Sequence, residues 1–196
     1  RFCSHKNNPP QVQVYRLGHL DFGLLKELID YLPKAGPVIL GESATRIIEG
    51  EPFLHPEFKM IISEVRNRRP QKEIKITTNG SFLREEMVTF LKKMEPIKIN
   101  LSLNCANPEE RVFLMRDSNP EIVFAGLELL DKYQVEFSGS IVAMPHLLGW
   151  ESLEKTISTL NDYQAEFIRV FMPGYTRYAA DKIKFDNEII KELKVF

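Results

Sequence analysis

The chain has 196 residues, of which 43% are hydrophobic and 27% are charged, which predicts one globular domain with a sizeable core. A formal net charge of −1 does not indicate a nucleic-acid partner or an anionic membrane surface. Apolar runs stay well short of the about 18 residues of a membrane span, and the first residues are too polar for a signal peptide. Two cysteines, Cys3 and Cys105, exclude a disulfide scaffold, so we expect a cytoplasmic protein.

Helical and strand patterns alternate along the first half of the chain. Asp21 is expected to cap a helix with an apolar stripe formed by Leu24, Leu25, Leu28, Ile29 and Leu32. A strand follows at Val38–Leu40, and a second short apolar run at Thr45–Ile48 leads into the Gly50-Glu51-Pro52 turn. A helix opened by Pro56 carries Phe58, Ile61, Ile62 and Val65, and the next strand is Ile74–Thr78.

The second half continues the same alternation. Apolar residues at helical spacing predict helices around Leu83–Met94, Pro120–Tyr133 and Leu153–Leu160. Strands are predicted at Ile97–Leu103, Val135–Val142 and Phe167–Met172. Five strands separated by helices predict an α/β fold with a parallel sheet.

Chemistry in such a sheet gathers at the carboxyl ends of the strands. The corresponding segments here are residues 50–55, 77–81, 102–107, 143–146 and 172–175. Neither the glycine-rich dinucleotide motif nor the phosphate-binding loop motif occurs, so the common nucleotide-binding folds are not indicated.

Several of these segments match one family when they are taken together. Arg1-Phe2-Cys3 matches the end of a Cys-x-x-x-Cys-x-aromatic-Cys loop, and Glu49-Gly50-Glu51-Pro52 matches a Gly-Gly-Glu-Pro turn except at Glu49. Weaker matches follow at later strand ends: Ile76–Gly80, Asn100–Asn104, Gly139–Ile141 and Val170–Met172. The chain thus resembles the core domain of radical S-adenosylmethionine (SAM) enzymes over residues 1–178.

The resemblance implies a partial (β/α)6 TIM-like barrel whose first strand is missing from this chain. It also implies a [4Fe-4S] cluster on thiolates, with Cys3 as the metal ligand, and SAM bound beside it. The implied reaction is reductive cleavage of SAM to a 5′-deoxyadenosyl radical, which abstracts hydrogen from an unidentified substrate. The resemblance assigns cofactor contacts to Phe2, Gly50, Glu51, Pro52, Thr78, Asn79, Ser102, Asn104, Ile141, Phe171 and Met172.

Both ends of the sequence have the character of internal segments. We therefore expect an N-terminally truncated barrel over residues 1–178 and the start of an incomplete C-terminal extension at 179–196. One thiolate is too few for a four-iron cluster, so the chain alone is expected to be inactive. The expected partners are the substrate and a reductant protein such as a flavodoxin or ferredoxin, with no membrane.

Other reactive residues are weaker candidates. Cys105 follows a strand but has no partner at a metal-ligand spacing, so a buried thiol is expected. The histidines show no zinc spacing, and His146 is the best candidate for a substrate contact. Arg116 follows a loop, 107–111, that could cover the barrel mouth. Arg116 itself could hold a carboxylate or phosphate, although a surface ion pair is the commoner role of such a residue.

Two alternative functions remain open. Glu49 in place of the first glycine favours a degenerate barrel that binds a ligand or partner without cluster chemistry. A cluster-free βα-barrel lyase or aldolase would need a lysine or paired carboxylates at strand ends, and the sequence shows no convincing set.

Overall fold

A computed structural model describes residues 11, 18–41, 50–173 and 186–195 of the chain. Its centre is a parallel sheet of five strands in the order β1-β2-β3-β4-β5. The strands are β1 Val38–Leu40, β2 Ile74–Thr78, β3 Ile97–Ser102, β4 Phe137–Val142 and β5 Ile168–Phe171. The predicted α/β class and parallel sheet are confirmed, and the strand bounds differ from the predicted ones by at most two residues.

Helices connect the strands and cover one face of the sheet. Eight are present among the described residues: α1 Phe22–Leu28, α2 Phe58–Arg68, α3 Glu85–Lys93, α4 Pro108–Met115, α5 Glu121–Lys132, α6 Pro145–Leu148, α7 Trp150–Asp162 and α8 Asn187–Val195. Short 3-10 turns occupy Ile29–Tyr31 and Pro52–Leu54. None of the described helices combines the length and apolar composition that crossing a bilayer requires.

Alternate residues of each strand point to opposite faces, and burial shows which face holds the core. Ile74, Ile76, Ile99 and Leu101 are at most 1% exposed and pack with the helices. Gly139 of β4 lies on the same face, where an added Cβ would meet Leu160 of α7 at 2.5 Å. The remaining strand side chains form what we call the open face of the sheet.

Two local expectations need correction. Asp21 does cap α1, accepting from the amides of Gly23 and Leu24, but Leu24 and Leu28 remain 46% and 45% exposed. The segment after Asn107, expected to be a loop, is helix α4. Asn107 accepts from the amides of Glu109 and Glu110, and Pro108 occupies the first helical position, a common start of a helix. The predicted run Thr45–Ile48 lies outside the described residues.

The amino edge of the sheet, where the strands begin, is held by side chains that bond to main chain or to one another. Arg66 of α2 donates hydrogen bonds to the carbonyls of Met94 and Pro96 before β3 and of Lys72 before β2, at 2.7, 2.9 and 2.8 Å. Lys98 on the open face contacts Glu136 and Glu166 at 3.1 and 2.9 Å. Arg66 therefore clamps the main chain before β2 and β3.

Candidate functional site

The carboxyl edge of the sheet is organised around the Glu51 side chain. One carboxylate oxygen accepts a hydrogen bond from the Thr78 hydroxyl at 2.7 Å, and the other accepts from the Asn79 amide at 2.8 Å. Burial raises the pKa of this carboxyl, although the bonds from Asn79, Thr78 and Phe53 act in the opposite direction. Glu51 therefore joins its own turn to the end of β2.

Two glycines beside this turn have different surroundings. Gly41, directly after β1, has φ +79°, and an added Cβ would lie 2.7 Å from Pro52 Cγ and close to the Thr77 carbonyl. Gly50 has no described atom within 4 Å of an added Cβ and is exposed. The turn is thus packed tightly against β1 and β2 on one side and accessible at Gly50.

The open face carries polar side chains in two adjacent rows. In the lower row, Asn100 accepts from Ser138 at 3.4 Å and donates to Thr77 at 3.1 Å. The upper row, nearer the carboxyl edge, pairs Ser102 with Ser140 in strand register and Ser140 with Arg169. Within the described part of the chain, the hydroxyls of Ser102 and Ser140 have no hydrogen-bond partner.

Asn104 joins the ends of β3 and β4. It has a left-handed backbone with φ 64°, and its side-chain oxygen accepts from the Val142 amide at 2.8 Å. Asparagine tolerates this conformation better than most residues do, which explains its place at the strand end. Its side chain is 6% exposed and also contacts Met115, so its amide is largely committed to the fold.

Residues 1–160, which include most of these strand ends, match the family model of the Radical SAM superfamily. The chain belongs to the radical SAM superfamily. The superfamily consists of enzymes, so the resemblance inferred from the sequence motifs is confirmed at this level.

Curated relatives of this radical SAM chain include GTP 3′,8-cyclases. That of Trichodesmium erythraeum is 28% identical over 172 residues, which are 84% of this chain and 47% of that protein. That of Peptoclostridium acidaminophilum is 29% identical over 119 residues, or 61% of this chain and 36% of that protein. The chain thus spans about a third to a half of the length of these relatives.

Solved radical SAM structures share the fold. A structure described as native anSMEcpe with bound AdoMet aligns with a TM-score of 0.65 and 17% identity, over 91% of this chain and 49% of that one. Streptococcus suis SuiB bound to S-adenosylmethionine aligns with a TM-score of 0.61 and 16% identity, over 75% of this chain and 34% of that one. The five-stranded parallel sheet therefore matches the partial barrel of radical SAM proteins.

The structure brings most of the predicted radical SAM contact residues to one edge. Gly50, Glu51, Pro52, Thr78 and Asn79 meet through the Glu51 bonds, whereas Ser102 lies on the open face of the neighbouring strand. Phe171 and Met172, at the end of β5, are 45% and 52% exposed.

The side chains of two predicted contact residues point elsewhere. The Thr78 side chain is 2% exposed and donates to Glu51, and Ile141 is fully buried in the hydrophobic core. A cofactor contact at Ile141 would therefore use its backbone. Ser140, which the sequence analysis did not single out, carries the side chain on the open face.

Arg111 and Asp117 are functional candidates that the sequence analysis missed. The Arg111 side chain is fully buried, and its Nε donates to Asp117 at 2.6 Å. Arg116, singled out instead, is the exposed, left-handed C-cap of α4. The helix-start signal at Asn107-Pro108 would have placed Arg111 on the fourth helical position, although burial of an arginine is not visible in a sequence.

Cys105 and His146 lie beyond the strand ends. Cys105 is fully buried and packs with Leu114 and Met144, and burial raises the pKa of its thiol to about 12, so the metal-free thiol is neutral near pH 7. His146 is half-buried in α6. Among the described residues no group of histidine, cysteine and acidic side chains could hold a metal ion.

Some predicted positions fall in parts of the chain that the structure does not describe. They are Phe2 and Cys3, the expected aromatic and thiolate of the cluster loop, together with Glu49. Their roles stay predictions.

Proposed function

We propose that the chain is a SAM-binding catalytic core whose carboxyl edge holds SAM beside a [4Fe-4S] cluster with Cys3 as one ligand. The observation that supports this most is the exposed Gly50 next to a turn fixed by Glu51, at the same edge of the sheet as the Ser102 and Ser140 hydroxyls, which have no hydrogen-bond partner among the described residues. A reduced cluster and SAM would supply reductive cleavage of a carbon–sulfur bond and hydrogen abstraction from a substrate. A flavodoxin or ferredoxin is the proposed source of the electron.

The described donors fit a nucleoside better than a metal. Ser102 and Ser140 offer neighbouring hydroxyls that suit ribose, and the exposed Phe171 and Met172 offer an apolar surface that suits adenine. The Glu51 carboxylate, occupied by Thr78 and Asn79, fixes the turn, so the approach to the ligand would be made by the backbone at Gly50. Cluster ligation is proposed for Cys3 rather than the neutral thiol of Cys105.

We propose the predicted domain division as well. The barrel would end at residue 178, and residues 179–196 would begin an extension. The Trp150 indole of α7 donates to Glu192 of α8 at 3.2 Å, and Leu193 packs against the core, so this extension would rest on the barrel.

The experiment that tests SAM binding substitutes Gly50. In the anaerobically prepared intact protein, Gly50→Ala is expected to weaken SAM binding about tenfold or more, because the methyl fills space that the ligand needs. Its thermal stability should match the wild type, because nothing described lies within 4 Å of the new atom. Gly18→Ala, which also adds a methyl in open space, is the matched control and should bind SAM normally.

Two different results would contradict these proposals. Because this chain alone is expected to be inactive, the test uses the full-length gene product. If that wild-type protein neither binds SAM nor releases 5′-deoxyadenosine under strong reduction, the proposed function is contradicted and the degenerate-barrel alternative is favoured. Unchanged SAM affinity in Gly50→Ala would instead place the ligand away from this turn.

We further propose that the substrate carries an oxyanion that binds Arg169. Lys75 and Lys98, the other cations that the described strands place on the open face, contact Glu73 at 3.2 Å and Glu136 at 3.1 Å. Arg169 has no acidic partner among the described residues, and its guanidinium lies 5.2 Å from the centre of the Phe167 ring. Arginine matches carboxylate and phosphate oxygens with two parallel hydrogen bonds.

GTP is the probe for this substrate class, because the curated relatives are GTP 3′,8-cyclases. Arg169→Gln should weaken GTP binding about tenfold, whereas Lys75→Gln, which removes a cation already paired with Glu73, should change it little. Equal GTP affinity of wild type and Arg169→Gln, or no GTP binding at all, would contradict a nucleotide substrate at this position.

A further inference from the structure

We infer that Arg111 and Asp117 form a positioning pair that holds the carboxyl edge in the geometry that binds SAM. The inference rests on the proposed function, because it assigns these residues an effect on SAM affinity. Neither residue touches the proposed ligand, so both would act through the strand ends that do.

Arg111 bonds to three separate segments. Its Nε donates to the Asp117 carboxylate, its Nη1 donates to the Leu103 carbonyl at 3.0 Å, and its Nη2 donates to the Asn79 carbonyl. Asn79 follows β2 and Leu103 follows β3, so one guanidinium fixes the spacing of two adjacent strand ends. The side chain is fully buried, which makes water a poor replacement for these bonds.

The bonds of Arg111 continue into a network across the edge. The Asn79 peptide whose carbonyl accepts from Arg111 belongs to the residue whose amide donates to Glu51 at 2.8 Å. On the other side, Leu103 precedes Asn104, which accepts from the Val142 amide of β4 at 2.8 Å. The network therefore joins the Gly50–Pro52 turn, β2, β3 and β4, which together contain most of the proposed SAM contacts.

Asp117 holds the guanidinium in its orientation. Its side chain is 8% exposed and also accepts from the Ser81 hydroxyl at 3.3 Å and the Asn119 amide at 3.1 Å. Burial alone would raise the pKa of Asp117, but the Asn119 amide and Arg111 hold it below its ordinary value. The carboxylate is thus ionised at neutral pH and compensates the buried charge of Arg111.

Arg66 provides a matched comparison within the same sheet. It also uses its planar fork to bond several main-chain carbonyls, but these precede β2 and β3 at the amino edge. A purely structural role predicts that loss of either arginine acts on stability alone. A positioning role predicts that loss of Arg111 also acts on SAM affinity.

The test compares Arg111→Lys with Arg66→Lys in the intact, anaerobically prepared protein. Lysine keeps the charge but cannot bond two carbonyls and a carboxylate in one plane. Both variants should unfold at a lower temperature than the wild type. At a temperature where both are folded, the SAM dissociation constant of Arg111→Lys should rise about tenfold, and that of Arg66→Lys should stay within about twofold.

Asp117→Asn is the second variant, and it decides the matter if Arg111→Lys does not fold. It leaves Arg111 in place without its carboxylate and should raise the SAM dissociation constant about fivefold. Wild-type SAM affinity in a folded Arg111→Lys or Asp117→Asn protein would overturn the inference while leaving the proposed function intact. Absence of SAM binding in the wild type would overturn both.

Discussion

The amino and carboxyl edges of the sheet contain similar charged residues, but these residues have different roles. At the amino edge, Arg66 and Lys98 have partners that belong to the fold itself: main-chain carbonyls for Arg66, and Glu136 and Glu166 for Lys98. At the carboxyl edge, the buried Arg111 and the half-buried Glu51 bond to the ends of β2 and β3. Near them, the Ser102 and Ser140 hydroxyls have no described hydrogen-bond partner, and Arg169 has no described acidic partner. The charged side chains of the amino edge are therefore paired within the fold, whereas the carboxyl edge combines a fixed inner layer with polar groups that lack described partners.

The largest difference in stability between the two edges is expected when a methyl group is added to a glycine with positive φ. Gly41→Ala at the carboxyl edge should lower the free energy of unfolding by about 3 kcal/mol, because backbone strain adds to a clash with Pro52 and the Thr77 carbonyl. Gly36→Ala at the amino edge has φ +75° but open space around the new atom, so about 1 kcal/mol is expected. Chemical denaturation measures both, and equal losses would mean that the close packing of the turn is not a stabilising feature.

A smaller effect is expected from the ionisation of Glu51. Burial raises its pKa in the folded protein above the ordinary value of 4.5, so the folded state binds the proton more tightly than the unfolded chain does. The stability that this proton contributes is present below pH 4.5 and is lost as the pH rises through the raised pKa. The free energy of unfolding of the wild type, relative to Glu51→Gln, should therefore decrease with rising pH.

Glu86 is the control for this prediction, because its pKa is shifted in the opposite direction to that of Glu51. Its hydrogen bond with Lys59 lowers its pKa, so the wild type should gain stability relative to Glu86→Gln as the pH rises through that lowered pKa. Thermal unfolding across the acidic range measures both series. A difference between wild type and Glu51→Gln that rises with pH would show that the hydrogen bonds to Glu51 outweigh its burial.

The smallest effect is expected at the amino edge. Lys98→Met should change the free energy of unfolding by less than about 1 kcal/mol, because the Lys98 side chain is 29% exposed and its partners Glu136 and Glu166 are 65% and 50% exposed. The difference should shrink further at high salt. If the free energy of unfolding fell by several kcal/mol independently of salt, the ion pairs of Lys98 with Glu136 and Glu166 would behave as interior groups, as Arg111 does.

The fold was predictable because its signals are local and repeated. Strict alternation at Ile97–Ser102 and the apolar positions of α2 and α5 follow directly from which side chains face the core. Helix α4 was not predicted, although the capping pattern of Asn107 and Pro108 marks its start.

For the candidate site, the sequence predicted where the backbone segments meet better than where their side chains point. The Glu51 turn and the strand ends follow from motif and topology, but period-two alternation alone does not say which residue of a pair faces the ligand. Ser140 rather than Ile141 carries the side chain on the open face, and Thr78 uses its hydroxyl on Glu51. The Arg111–Asp117 pair depends on contacts between four segments, which no single stretch of sequence encodes.

The enclosure of Arg111 has an evolutionary consequence. A solitary charge of either sign at this depth would be strongly destabilising, whereas two apolar side chains of similar volume could replace the pair. Positions 111 and 117 are thus expected to change together among descendants of this protein. Lineages that exchange both for apolar residues would keep the barrel but lose the restraint that Arg111 places on Asn79 and Leu103.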